Sequence, residues 1–395
     1  MNAKPSGGSK PVLFSYGFRP FFLAAGGWSA TALVIWIIML ETGLTLPSRF
    51  DPLTWHIHEM LFGFVMAAIA GFLLTAVANW TQRPAISGGL LAVLAAAWLL
   101  GRIACLVSLF LPPWLVIATD LLFPVLLITA IGHEVIAARN WRNLPIIAPV
   151  VVFAIANLLM HLEAYNFVAL GGLGWRLALA AVITLISVVA GRIVPVFTAN
   201  WLAIRGKAAS SMSQGIAGRM ALGVLHIGLL AWVFFHNSHF TGGLLILGAA
   251  FSLVRLWRWR GYQTTSEPLL LSLHIGYGWL VLGVALLGLS TFDIAVPQSA
   301  AIHSLTAGAI GTMILAVMTR VTRGHTGRKL SADRATEAMY GLVTLAAIAR
   351  VAAAFGIMTS MLLIASAVLW IGAFVLFVLV YGPMTLRPRL DAAAV

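Results

Sequence analysis

A chain of 395 residues that is 61% hydrophobic and 9% charged, with a mean hydropathy of +1.00, is excluded from the ordinary soluble domains and falls among polytopic membrane proteins. The net charge of +13 would suit a nucleic-acid partner if it were gathered on one face, but the basic residues recur at alternate loops, which excludes that class. They are Lys4, Lys10 and Arg19; Arg83; Arg139 and Arg142; Arg205, Lys207 and Arg219; Arg255, Arg258 and Arg260; Arg320, Arg323, Arg328, Lys329 and Arg334; and Arg387 with Arg389, whereas the intervening loops hold only Arg49 and Arg176.

Each membrane span needs about 20 apolar residues. In chain order the sequence predicts about twelve, at 20–40, 55–79, 88–110, 114–137, 145–162, 174–201, 216–235, 242–258, 268–290, 299–322, 335–357 and 359–382. The runs are too long for a strand-by-strand barrel, so the expected fold is an all-α polytopic bundle, one transmembrane domain over 1–395. Residues 1–19 are expected as a cytoplasmic N-terminal segment, 20–382 as the helix bundle and 383–395 as a cytoplasmic tail. The charge alternation and the even helix count predict both termini in the cytoplasm of an inner-membrane, multi-pass protein. The basic segment before Phe21 reads as leading into a retained first helix rather than a cleaved signal.

The second, sixth and tenth spans end alike. Leu74-Thr75-Ala76-Val77-Ala78-Asn79-Trp80 resembles Phe197-Thr198-Ala199-Asn200-Trp201, and Val317-Met318-Thr319-Arg320 is a looser copy. The same helix in every block of four predicts three four-helix units about a pseudo-threefold axis. Gly26-Gly27-Trp28 and Gly276-Tyr277-Gly278-Trp279 add a weaker echo in the first and ninth spans. Gly63, Ala67 and Gly71, and Gly308 with Gly311, form small-residue faces that serve either close helix packing or a flat macrocycle.

The second span opens on Trp55-His56-Ile57-His58-Glu59, and His303 opens the tenth. Imidazoles and a carboxylate are costly in lipid and usually face a bundle interior, where a proton or a metal uses them. His56 and Glu59, three apart, are expected on one helix face, with His58 turned away. With His161 at the end of the fifth span, these residues make a candidate outer layer suited to haem iron or copper. His226 and His274 are weaker metal candidates, and His236 and His239 read as loop residues. No Cys-x-x-Cys-His occurs, so any haem is non-covalent, of b type. Cys105 is the single cysteine and reads as a packing residue. Arg102 and Asp120 fall at similar depth on consecutive helices and predict an ion pair. Arg350 has no acid in its own hairpin; a haem propionate or Glu59 would suit it, and a propionate would equally suit Arg102. Arg192 and His274 belong to an inner-side polar group that could bind an anion or line a proton path.

Gly17-Phe18-Arg19-Pro20-Phe21-Phe22, Trp55-His56-Ile57-His58-Glu59-Met60, Gly191-Arg192-Ile193-Val194-Pro195, His274-Ile275-Gly276-Tyr277-Gly278-Trp279 and His303-Ser304-Leu305-Thr306-Ala307-Gly308, in that order, resemble the NnrS family of haem- and copper-containing membrane proteins of the nitric-oxide response. The resemblance implies a bacterial inner-membrane protein that binds haem, with copper as a second cofactor, and takes nitric oxide as ligand or substrate. Glu59 would then orient an imidazole or relay protons, and a reductive reaction would draw on quinol or a periplasmic donor. The twelve-helix plan also resembles subunit I of haem–copper oxidases, with two departures: there is no His-His pair on the seventh helix and no histidine on the sixth. A nitric-oxide-reacting haem oxidoreductase or scavenger, a transporter or channel for a metal, anion or proton, and a haem or copper assembly factor all remain open on the sequence.

Overall fold

The computed structural model describes residues 11–207, 215–292 and 295–390. Lys4 and Lys10 of the charge pattern lie outside them. The described residues are helical throughout, with no strand. Eleven helices are long and apolar enough to cross a membrane: α1 (Phe18–Thr42), α2 (Pro52–Thr81), α3 (Gly89–Leu106), α4 (Pro113–Ala137), α5 (Trp141–Ala164), α6 (Leu173–Ile204), α8 (His239–Gln263), α9 (Pro268–Leu289), α10 (Gln298–His325), α11 (Arg334–Ala354) and α12 (Thr359–Leu386). The expected seventh place is taken by α7 (Gly215–Phe234). The chain is a multi-pass membrane protein.

Local chemistry sets the helix ends. Proline fills the first turn of α2, α4 and α9, where its missing N–H costs nothing. Asp51 caps α2, its carboxylate accepting from the backbone of Leu53 and Thr54 at 3.0 and 3.1 Å. Asp333 caps α11 through the Thr336 amide at 2.9 Å. Gly43 closes α1 at φ 71°, a left-handed conformation that favours glycine.

The three-unit reading gains direct support. The apolar stretches of α2, α6 and α10 are the most buried, at 83%, 67% and 67%, followed by α9 at 61%, against 33% for α1, α4 and α12. Helices α2, α6 and α10 converge on an apolar cavity of about 70 Å³, lined by Ala68 and Phe72 of α2, Ile186 and Val189 of α6, and Met313 and Val317 of α10, with Phe22 of α1. The three echoed threonines also behave alike. Thr75, Thr198 and Thr319 each donate to the carbonyl four residues earlier, at 2.7, 2.8 and 2.9 Å. Each hydroxyl also meets a neighbouring helix: Thr75 accepts from the Phe18 amide, Thr198 pairs with His274 Nε2 and Thr319 with the Tyr340 hydroxyl.

Both histidine-headed helices change their hydrogen bonding directly after the histidine. The segments Glu59–Val65 of α2 and Ser304–Ile310 of α10 are π-helical. Such segments recur at functional positions because the wider turn displaces side chains from the α-helical register. Each also seats a tryptophan on a glycine. A Cβ at Gly63 would collide with the Trp28 indole, and one at Gly308 would lie 2.6 Å from the Trp279 ring. Gly71 receives Phe22 and Gly311 receives Trp370 in the same way. The small-residue faces are therefore occupied by aromatic side chains, which resolves the choice between packing and a macrocycle seat in favour of packing.

Candidate metal and haem centre

The end of the bundle where α2 begins holds a closed polar cluster contributed by four helices. His58 and Glu59 come from α2, Arg102 and Cys105 from α3, Asp120 from α4, and Asn157 and His161 from α5; all are buried, at 3% exposure or less. Asp120 is the hub. Its Oδ2 accepts from His161 Nε2 at 2.9 Å and from Asn157 Nδ2 at 2.8 Å, and lies 3.2 Å from His58 Nε2. Its Oδ1 takes Arg102 Nη2. Arg102 Nη1 reaches both oxygens of Glu59 at 2.9 Å, and the Trp28 indole N–H donates to Glu59 Oε2 at 2.8 Å. His58 closes the ring, with Nδ1 at 3.1 Å from Glu59 Oε1 and Nε2 at 2.9 Å from Asn157 Oδ1.

The charges explain how such a group survives burial. Two carboxylates and one guanidinium leave a formal charge of −1, which one further proton on His58, whose two nitrogens both face oxygens, brings to zero. An uncompensated ion in this setting costs several kcal/mol.

One ligand atom each from His58, Cys105, Asp120 and His161 lie within 4.8 Å of one another. Imidazole, thiol and carboxylate are the donors of zinc and copper sites, so the donor chemistry fits a metal ion. Charge fits as well: a dication beside Arg102 is balanced by Glu59, Asp120 and a thiolate at Cys105. His161 Nδ1 is buried without a partner, which marks an unfinished donor set. The cluster is compatible with metal binding.

His56 faces away from this cluster. Its ring stacks on Trp36 at 4.7 Å and 17°, its Nδ1 is buried without a partner, and it lies within electrostatic reach of His303 and Arg350. His303 donates from Nδ1 to the Ser299 carbonyl at 2.7 Å. A carbonyl only accepts, so the proton sits on Nδ1 and Nε2 keeps its lone pair, the tautomer a metal-ligating histidine uses. Both imidazoles have the donor chemistry that haem iron takes, and Arg350 lies within electrostatic reach of both.

The expected outer layer is thus divided in two. The Arg102–Asp120 ion pair is present as expected. Glu59 is committed to Arg102, not to Arg350, and, like His56, it meets a tryptophan of α1: Glu59 accepts from Trp28 and His56 stacks on Trp36. Arg102 spends both terminal nitrogens on carboxylates. Cys105, read from sequence as a packing residue, stands among the candidate ligands. Asn157 was not singled out by sequence reasoning, although its spacing of four from His161 on an apolar helix was a usable signal. The weaker candidates lie elsewhere. His226 Nε2 pairs with Ser187 at 2.8 Å, His274 with Thr198 at 3.0 Å, and the exposed Arg192 with Asn143 at 3.3 Å. In the loop before α8, burial and then Arg176 hold the His236 imidazole below its ordinary pKa, while His239, expected in that loop, is the first residue of α8 and stacks on Phe292 at 5.2 Å.

Residues 12–389, nearly the whole chain, match the family model described as NnrS protein. No curated protein matches the chain.

Proposed function

Taking this chain as a member of the NnrS family, which the match over residues 12–389 establishes, we propose that it is a haem-binding protein of the bacterial inner membrane that handles nitric oxide, with a second metal centre. What supports the reading is the pair His56 and His303: His303 stands directly before a π-helical segment and His56 three residues before one, and they lie within electrostatic reach of each other and of Arg350. Haem held there would supply an iron able to bind nitric oxide in place of one of the two imidazoles. The rest is the work of the chain. Ser299 fixes the tautomer of His303, Trp36 holds the His56 ring, and Arg350 compensates a carboxylate. His58, Cys105, Asp120 and His161 are the residues to hold copper, and Arg102 with Glu59 balances its charge. Glu59 and His58 can pass a proton between Nδ1 and Oε1 across 3.1 Å. The basic loops support placing both termini in the cytoplasm, and the histidine-rich end on the opposite side. The described lining of the cavity between α2, α6 and α10 is apolar, so the cavity itself offers an ion no polar relay.

The test is the visible spectrum of the detergent-purified protein, oxidised, reduced with dithionite and exposed to nitric oxide. The expected result is sharp reduced bands that shift with nitric oxide and are lost in His56→Ala and His303→Ala. Full retention of the bands in both variants would overturn the ligand assignment, and a colourless protein from haem-replete cells would overturn the haem reading itself.

A further inference from the structure

Five arginines are buried among the described residues: Arg19, Arg102, Arg176, Arg255 and Arg323. Four of them find their complement. Arg102 holds Glu59 and Asp120, and Arg323 holds Asp333. Arg19 takes the carbonyls of Thr385 and Arg387 at the end of α12, and Arg176 those of Gly171 and Val233 at a helix boundary, where the unpaired carbonyls carry negative partial charge.

Arg255 is the exception. It is 3% exposed and lies in the last turn of the α-helical part of α8, which ends at Arg258. Its Nη1 donates to the Ser187 carbonyl and the Tyr277 hydroxyl, both at 3.1 Å, while Nε and Nη2 are buried with no partner. The helices α6, α7, α8 and α9 contain no Asp or Glu, and no ion pair to Arg255 occurs among the described residues. Nε–H and the adjacent Nη2–H form one edge of the guanidinium, two parallel donors spaced for the two oxygens of a planar oxyanion. The residues near Arg255 are donors or cations too. Ser252, one turn earlier on α8 and fully buried, has an unpartnered hydroxyl, and the Tyr277 O–H, having accepted from Arg255, still has a proton to give. His226 lies within electrostatic reach and spends its Nε2 on Ser187. Trp259 and Tyr277 flank the guanidinium with ring centroids at 5.1 and 5.8 Å and exclude water.

We infer that Arg255, with Tyr277 and Ser252, is a buried binding site for a planar oxyanion, separate from the histidine cluster. The ligand presents two coplanar oxygens to the Nε/Nη2 edge and a third contact to the hydroxyls. Two sources offer that chemistry: a free inorganic or carboxylate anion such as nitrite or formate, and the propionate of a bound porphyrin.

The experiment uses the full-length protein in detergent, titrated with sodium formate, nitrite or chloride at constant ionic strength, with the unfolding midpoint and the porphyrin content measured in parallel. A saturable rise with formate and nitrite but not chloride, with affinity weakened by about tenfold or more in Arg255→Lys, is the result expected for a free oxyanion, since lysine keeps the charge and loses the fork. An unresponsive wild type whose Arg255→Lys variant purifies with less porphyrin is the result expected for a propionate. Identical behaviour of wild type and Arg255→Lys in both measurements overturns the site, as does chloride acting as well as formate. Should Arg255→Lys fail to fold, Tyr277→Phe keeps the guanidinium and removes one hydroxyl; an affinity and porphyrin content unchanged in that variant likewise overturn the proposal.

Discussion

Asp120 accepts from His161 across 2.9 Å with one carboxylate oxygen while the other takes Arg102, so a single side chain on α4 ties α5 to α3 and, through Glu59 and His58, to α2. Cutting such a network leaves a buried ion without its complement, which costs about 3–5 kcal/mol. Arg102→Met strands two carboxylates and is expected to be the most destabilising single change here. Asp120→Asn keeps the shape and some hydrogen bonds, and is expected to cost less. Unfolding midpoints in detergent check the order, and equal midpoints for wild type and Arg102→Met would show that the ion pair contributes nothing.

The glycine seats of the two π-helical segments should respond alike. A Cβ at Gly63 meets the Trp28 indole, and one at Gly308 meets the Trp279 ring, both rings half-buried against the core. Overpacking of this kind costs about 1–3 kcal/mol. Gly63→Ala and Gly308→Ala are each expected to lower the midpoint, whereas Gly27→Ala, with open space at its Cβ, is not. A loss at only one seat would deny their equivalence.

Much of this arrangement was legible in the sequence, and the reasons differ by feature. Membrane spans are written in composition, because every backbone group in lipid must bond within its own helix and only long apolar runs allow that. The threonine echo at 75, 198 and 319 was legible because a polar residue inside an apolar helix must find a partner, and equivalent helices find equivalent ones. Arg102 and Asp120 were legible as two opposite charges at one depth. The turning of His58 away from His56 was legible from helical spacing, but the partners each ring meets were not, because they come from how α1, α3, α4 and α5 pack around α2. Nor could Cys105 be placed: its distance to His161 is a property of how α3, α4 and α5 pack, not of any local motif.

The two centres should be separable by substitution. Cys105→Ser and His161→Ala remove donors from the buried cluster and leave His56 and His303 untouched. The expected outcome is a loss of bound copper or zinc, measured by elemental analysis of the purified protein, with the haem bands unchanged. Because metal binding at imidazole and thiol displaces protons, the retained metal should also fall on acidification. Equal metal content in wild type and both variants would remove the cluster from the metal sites and leave it a structural ion network.

Asp333 joins capping to electrostatics at the start of α11, and the two can be told apart. Burial alone would raise its carboxyl, but the Thr336 hydroxyl and amide, and then Arg323, hold it below its ordinary pKa. A carboxyl depressed in the folded state contributes stability above its unfolded pKa of about 3.9, and loses that contribution as pH falls through the folded value. Asp333→Ala removes both the cap and the charge, and about 1 kcal/mol is expected for the cap. Asp333→Asn caps α11 as well as aspartate does but cannot pair with Arg323, so it should cost less at neutral pH. Its midpoint should also be insensitive to acidification in the window where the wild type weakens. Midpoints measured from pH 3 to pH 7 decide it: parallel curves for wild type and Asp333→Asn would mean that the Arg323 pair adds nothing to the cap.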